Sequence, residues 1–200
     1  MRRVLILGWG LPLLMAVAGC SSGQSVVTSS QSSSVSSPVS GTPSASFGGT
    51  ASSVPTASLP ATASVGDTLA LSGTSGGEKA DVTVVKIVDP ASAKEAFSSP
   101  KAGERLVAVQ FRIRNTGTAV YDDSPSNGAR LVDNEGQQFT ARIATDTTAG
   151  PSFPGSVTIA PGDTALGYIT FTVPTASRVA KVQFALNSGF APSTGQWTVS

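Results

Sequence analysis

A bulky apolar side chain stands at every second position between Arg105 and Asn115. A period of two places successive side chains on opposite faces of an extended chain, so one face is buried and the other is solvated. The apolar members are Val107, Val109, Phe111 and Ile113, and the others are Ala108, Gln110, Arg112 and Arg114. The segment therefore predicts a β-strand that ends in the turn Asn115-Thr116-Gly117.

Other short segments have the same β-rich character and are bounded by Gly, Pro, Asn or Asp. They are Thr68–Leu71, Asp81–Val88, Arg130–Val132, Gln138–Ala141, Gly167–Val173, Val182–Leu186 and Trp197–Val199. Within Gly167–Val173 the alternation predicts that Tyr168, Thr170 and Thr172 face solvent. Helical periodicity of useful length is absent after the N-terminal leader, so residues 66–200 predict an all-β domain of seven to eight strands in a two-sheet sandwich.

Residues 20–65 differ sharply from this domain in composition. From residue 21 onward they carry no charge and consist mainly of Ser, Thr, Gly, Pro and small apolar residues. Such a segment buries too little apolar surface to offset its ordering entropy, so we expect a disordered linker. A flexible coil of about 42 residues would span roughly 36 Å. The composition also suits O-glycosylation, although a plain spacer is the simpler interpretation.

Residues 1–19 are typical of a secretory signal peptide. Arg2 and Arg3 precede an apolar run from Val4 to Ala18, which is too short for a permanent membrane-spanning helix. The leader ends in Val17-Ala18-Gly19-Cys20, which resembles the lipobox of bacterial lipoproteins. In that family the cysteine sulfur receives diacylglycerol and cleavage occurs just before it. The resemblance implies lipidation at Cys20 and a lipid anchor on the extracytoplasmic face of the cell membrane.

The route of export follows from the same leader. The Arg2-Arg3 pair also suits twin-arginine export, but it lies at the very start without the usual preceding polar residue. Export by a Sec-type signal is therefore favoured.

Charge and composition exclude several classes of function. Removing Arg2 and Arg3 with the leader leaves 11 basic and 12 acidic residues. The chain therefore lacks the excess of positive charge that binding to nucleic acid requires. The chain has no His and one Cys, so His-based triads and Cys/His zinc sites are excluded. We therefore expect no cofactor and no enzymatic activity.

Several motifs of the predicted domain occur in an order typical of one group of proteins. They are Asp81-Val82-Thr83-Val84, Gly103–Val109, Arg114–Gly117, Leu131–Gly136 and Pro161-Gly162-Asp163 followed by Phe171–Pro174. In this order, after a lipobox, they resemble the telokin-like, immunoglobulin-like domain of uncharacterised bacterial lipoproteins, a group that includes the mycobacterial immunoprotective extracellular proteins. The resemblance covers roughly residues 66–190 and implies an immunoglobulin-like sandwich, without catalytic residues.

Phe153 is the first candidate for contact with a partner. It lies between Pro151 and Pro154 in a charge-free stretch between Asp146 and Asp163. Loops on a rigid sandwich commonly carry binding residues, and an aromatic side chain held between prolines loses little entropy on contact. Phe153 would therefore be either an anchor for a partner or a cap that folds back over the end of the sandwich.

Two polar groups provide weaker candidates. Arg112 and Arg114 would form a mildly basic stripe with Lys181 if their strands shared one sheet, although solvated strand faces have the same composition. Asp122-Asp123, Asp133 and Glu135 are the densest acidic group and would offer oxygen ligands to Ca²⁺ only if their loops converged.

These features favour a membrane-anchored interaction domain whose ligand is a surface protein, a glycan or another envelope component. The alternative is a structural or antigenic surface protein without a discrete ligand.

Overall fold

The computed structural model describes residues 25–28, 63–143 and 145–200. The predicted signal peptide, Cys20 and most of the predicted linker lie outside the described residues. The strands are β1 (Ser25–Val27), β2 (Thr68–Ser72), β3 (Lys79–Ala91), β4 (Glu104–Asn115), β5 (Tyr121–Asp123), β6 (Ala129–Asp133), β7 (Gln138–Thr140), β8 (Val157–Ile159), β9 (Thr164–Pro174), β10 (Val179–Ala185) and β11 (Ser193–Thr198). A helical turn, α1, spans Pro125–Gly128, and 3₁₀ turns span Ala96–Ser98 and Asn187–Gly189.

The strands form two main sheets. One has the order β1-β11-β10-β6-β7, the other has the order β2-β3-β4-β9, and β5 pairs separately with β8. The all-β, immunoglobulin-like two-sheet sandwich is therefore confirmed, and each of the eight predicted strands is present. The short strands β5 and β8 were missed because three residues are too few to show an alternating pattern.

The main core lies between the two sheets. Phe111 on β4 and Phe184 on β10 meet with ring centroids 5.3 Å apart, one from each sheet. Trp197 on β11 is fully buried, and its indole N–H donates a 2.9 Å hydrogen bond to the Asp67 carbonyl. That bond satisfies the one polar group of the largest core side chain.

The outer face of the second sheet differs from the prediction. Tyr168 and Thr170 point away from the main core but are only 2% and 3% exposed. Tyr168 packs with Leu106, Ala108 and Ala91 in a second, smaller apolar cluster. The segment after β7 runs along β9, where the Arg142 N–H donates to the Thr170 carbonyl at 2.7 Å. The prediction that both side chains face solvent was wrong because this distant segment covers them.

Strand β1 lies within the region predicted as a disordered linker. Its three residues pair in parallel with Ser193, Thr194 and Gly195 at the edge of β11. Val27 packs against the main core, and so do the nearby residues Ala63 and Val65. At these residues the structure therefore differs from the predicted coil, and the ordered domain begins before residue 66.

Among the residues that the structure describes, no helix is long and apolar enough to cross a membrane.

Candidate functional site

A cleft of about 160 Å³ opens at the end of the sandwich where β4 finishes. Its walls come from the turn between β2 and β3, from β5 with the residues just before it, and from the 3₁₀ turn after β10. We call this the cleft end of the domain. Three separate loops meet there, which is the usual position of binding residues on a rigid β-scaffold.

The 3₁₀ turn in the cleft wall carries two consecutive residues in the left-handed region. Asn187 has φ 51° and Ser188 has φ 54°, and neither is glycine. Residues with a Cβ atom adopt this conformation uncommonly, Asn more often than Ser, and two in succession persist where the surroundings hold them. Such positions cluster at binding and catalytic sites.

Two carboxylates hold this turn from opposite sides. Asp123 accepts the Ser188 hydroxyl at 2.6 Å and the Ser188 N–H at 2.9 Å. Asn187 donates its side-chain amide to Glu78 at 3.1 Å and accepts the Thr74 N–H at 2.9 Å. The three walls of the cleft are thus joined by side-chain hydrogen bonds, so the cleft is preorganised before any ligand binds.

Asn115 fixes the base of the same end. It is almost fully buried, and its side-chain amide donates to the carbonyls of Ala119 and Ile159 at 2.8 and 2.9 Å. Its side-chain oxygen accepts the Gly117 N–H at 3.0 Å, which closes the predicted turn. The sequence identified this residue as a turn former, but its long-range bond to Ile159 depends on the tertiary fold.

The environment of the cleft shifts the pKa of the Tyr121 phenol. Burial raises the pKa of the Tyr121 phenol well above its ordinary value, and the nearby Asp123 carboxylate raises it further. The phenol lies 3.5 Å from that carboxylate. Tyr121 therefore stays neutral and contributes a hydroxyl dipole rather than an acid or base near neutral pH.

The structure places Arg112 and Arg114 on the outer face of β4. Both side chains are exposed, opposite Thr83 and Asp81 on β3. Lys181 lies on β10, which belongs to the other sheet. The basic stripe that would have joined these three residues is therefore not formed, because their strands lie on opposite sides of the sandwich.

Phe153 is half-buried and packs against the main core, beside Gly167 of β9. Its N–H donates to the Tyr168 carbonyl at 3.0 Å, and the Tyr168 N–H donates to the Pro151 carbonyl at the same distance. This arrangement favours the capping alternative. A role of Phe153, Arg112 or Arg114 in partner contact stays a prediction.

The acidic loops do not form the group that Ca²⁺ would need. Asp133 is buried, and its carboxylate accepts the N–H groups of Glu135 and Gln137 in its own hairpin. The Asp123 carboxylate is occupied by Ser124 and Ser188. Within residues 25–28, 63–143 and 145–200, no cluster of three or more His, Cys, Asp or Glu residues is placed to hold a metal ion.

An ion pair stabilises the opposite end of the domain. The Arg105 guanidinium donates to both carboxylate oxygens of Asp89, at 2.6 and 3.0 Å, and also to the carbonyls of Pro174 and Ser177. The hydrogen bond to Asp89 raises the pKa of Arg105 above its already high ordinary value. This residue ties β3, β4 and the turn after β9 together and has a structural role.

The residues that form the cleft were largely missed by sequence reasoning. Glu78, Asn187 and Ser188 lie in turns, and their side chains meet only after both sheets have formed. The one available signal was the run Asn187-Ser188-Gly189, whose composition is typical of a turn.

Comparison with solved structures gives matches of low sequence identity. The secreted protein MPT63 of Mycobacterium tuberculosis matches at 18% identity and a TM-score of 0.49, over 72% of this chain and 100% of that one. An uncharacterised β-sandwich protein of Clostridium difficile 630 matches at 14% identity and a TM-score of 0.40, over 74% of this chain and 100% of that one.

YcdA of Bacillus subtilis, described as a candidate lipoprotein, matches at 16% identity and a TM-score of 0.47, over 65% of this chain. The present chain spans 38% of the length of YcdA. A search of curated proteins gave no match.

A family model matches residues 73–193, which include β3–β10 and every wall of the cleft. The description of that family assigns it no function. The match covers more than half of the chain and confirms the resemblance to a domain of unknown function. This chain belongs to the family described as domain of unknown function DUF4352.

Proposed function

We propose that the mature protein is an extracytoplasmic lipoprotein held on the bacterial cell membrane by diacylglycerol at Cys20. The proposal rests on the signal-peptide pattern and on Val17-Ala18-Gly19-Cys20. One acyl chain gives marginal membrane binding, whereas the two chains of a diacylglycerol give a stable anchor.

The domain carried by this anchor is an interaction module, and its binding surface is the cleft end. The observation that carries this proposal is the pair of left-handed residues, Asn187 and Ser188, held between Glu78 and Asp123. Maintaining two such residues costs free energy of order 1 kcal/mol or more each, and the hydrogen bonds to Glu78 and Asp123 offset this cost in the folded domain. The cleft offers amide, hydroxyl and carboxylate groups, which suit a polar ligand such as a peptide, a glycan or a lipid headgroup.

The module acts by binding and has no catalytic role. The carboxylates of Glu78 and Asp123 already accept hydrogen bonds from Asn187 and Ser188, and Tyr121 is held neutral. A general acid or base needs a free proton-transfer position and a pKa near the working pH. The arrangement therefore supports binding of a ligand more than a reaction on it.

A structural or antigenic surface protein without a discrete ligand is the second candidate. The sandwich itself supports it, because two sheets packed around a closed core need no ligand for stability.

Site-specific photocrosslinking on intact cells would distinguish the two. A benzophenone side chain in place of Val120, in the cleft wall, should give an adduct of defined mass. The same group in place of Ala102, which is exposed in the turn before β4, should give none. Equal adducts at both positions, or none at either, would support the structural alternative. Fractionation of Cys20→Ser tests the anchor separately.

A further inference from the structure

Strand β1 fixes the end of the domain from which the chain leads back to Cys20. Because β1 runs parallel to β11, Ser25 lies beside Ser193 at the beginning of β11. The Ser193 hydroxyl bonds the backbone of Ser72, which begins the turn whose Thr74 is bonded to Asn187. Ser25 is therefore at the cleft end.

The covalent distance from this point to the proposed anchor is short. Five peptide units join Cys20 to Ser25, and a fully extended chain spans at most about 3.6 Å per residue, or roughly 18 Å. Whatever their conformation, these residues cannot hold the cleft end far from a lipid attached to Cys20. This step rests on the lipidation proposed above.

The long segment between residues 29 and 62 does not lengthen this connection. The Ala63 N–H donates to the Thr28 carbonyl at 2.6 Å, and Ser64 bridges to Thr198 farther along β11. Residues 25–28, and after them residues 63–65, thus lie one after the other along the edge of β11. Thr28 and Ala63 are therefore neighbours at one edge of the domain, so the chain that joins Cys20 to the first described strand consists of residues 21–24.

The cleft end also carries exposed apolar side chains. Phe190 is 80% exposed, and its N–H bonds the Asn187 carbonyl in the cleft wall. Val120, which lines the cleft, is 53% exposed. Large apolar side chains this exposed on a small domain mark a surface for contact when they share one region.

The geometry points to a phospholipid surface as the partner of the cleft end, with Phe190 inserted at the level of the headgroups. Aromatic and apolar side chains take this position in proteins that lie on membranes. The charged residues that line the cleft are one basic residue, Lys79, and three acidic ones, Glu78, Asp122 and Asp123, so the contact depends on apolar insertion and not on anionic lipid. The ligand of the cleft is accordingly a group at headgroup depth.

Depth-dependent quenching in vesicles tests this orientation. The full lipidated chain is reconstituted into phosphatidylcholine vesicles in which the acyl chains are brominated near the headgroup, and tryptophan emission is compared between variants. Phe190→Trp should be quenched several-fold more than Phe97→Trp. Phe97 is a matched control, because it is 85% exposed and follows β3 at the opposite end of the domain. The buried Trp197 gives the background in both.

A second variant tests the connection itself. Val27→Asp places a charge where β1 meets the core and should release β1 from β11. Residues 21–62 would then lie between the anchor and the domain, and a flexible coil of that length, which the composition predicts, spans roughly 36 Å. Quenching of Phe190→Trp should fall to the level of Phe97→Trp, while the vesicles still float with bound protein.

The outcomes separate this inference from the proposed function. Protein that floats with the vesicles but shows equal quenching at both positions would overturn the orientation and leave the anchor intact. Protein that does not float would overturn both. A doubled mass on the vesicles, with Phe190→Trp shielded from bromine, would assign the patch to a second copy of the chain and overturn the lipid contact.

Discussion

The ring of Phe153 lies directly against Gly167 of β9. A Cβ atom on Gly167 would come within 2.8 Å of the Cγ of Phe153, closer than real contacts allow. The missing side chain at residue 167 thus makes the space that the aromatic ring fills. This contact holds in place the segment that covers the outer face of the second sheet.

Phe153→Ala should lower the free energy of unfolding by about 2 kcal/mol, below the 3–5 kcal/mol of a fully buried phenylalanine, because the ring is half-buried. Gly167→Ala should also destabilise, since its methyl group meets the same ring. Urea unfolding measures both. An unchanged midpoint for Phe153→Ala, together with a loss of crosslinked partners, would instead make Phe153 an anchor.

Phe111→Ala removes one of the two rings that meet across the core. Phe111 is fully buried, so the variant should lose about 3–5 kcal/mol in chemical denaturation. The neighbouring Arg112→Ala, on the exposed face of the same strand, should be nearly neutral. Similar midpoints for the two variants would contradict the assignment of the faces of β4.

Arg105→Lys should destabilise the domain even though it keeps the positive charge. Lysine cannot reproduce the paired hydrogen bonds to Asp89 or the bonds to the two backbone carbonyls. We expect a loss of about 1–3 kcal/mol, in the range of hydrogen bonds that involve a charged group. Arg114→Lys, exposed on the same strand, is the control, and thermal unfolding that does not distinguish the two variants would contradict this role.

The raised pKa of Tyr121 predicts a loss of stability in alkali. In the unfolded chain the phenol ionises near its ordinary pKa of 10.0, while in the folded protein it stays protonated to higher pH. The unfolded state therefore binds fewer protons above about pH 10, and the free energy of unfolding falls as pH rises there. The stabilisation is fully present below that pH. Tyr121→Phe should show a shallower decline in urea unfolding between about pH 9 and 11, and identical slopes would refute the assignment.

The strands could be predicted from the sequence because, in a half-buried strand, apolar and polar side chains alternate with a period of two residues. Phe111 and Ile113 face the core for this reason. The same rule failed at Tyr168 and Thr170, because periodicity describes one strand and not a distant segment that covers it.

The cleft could not be predicted, because it is assembled from turns. Glu78, Asp123 and Asn187 are far apart in the chain and meet only through loop geometry. Strand β1 was not predicted for a related reason. Three residues in a serine-rich segment carry too little pattern to indicate a strand, and their conformation is determined by pairing with the open edge of β11.

Attachment at Cys20 is the central claim, and fractionation of Cys20→Ser tests it most directly. The parent chain should incorporate labelled fatty acid and remain in the membrane fraction. Cys20→Ser should lose the label and leave that fraction, while its domain melts at the same temperature. Unchanged labelling and unchanged fractionation of Cys20→Ser would contradict the account.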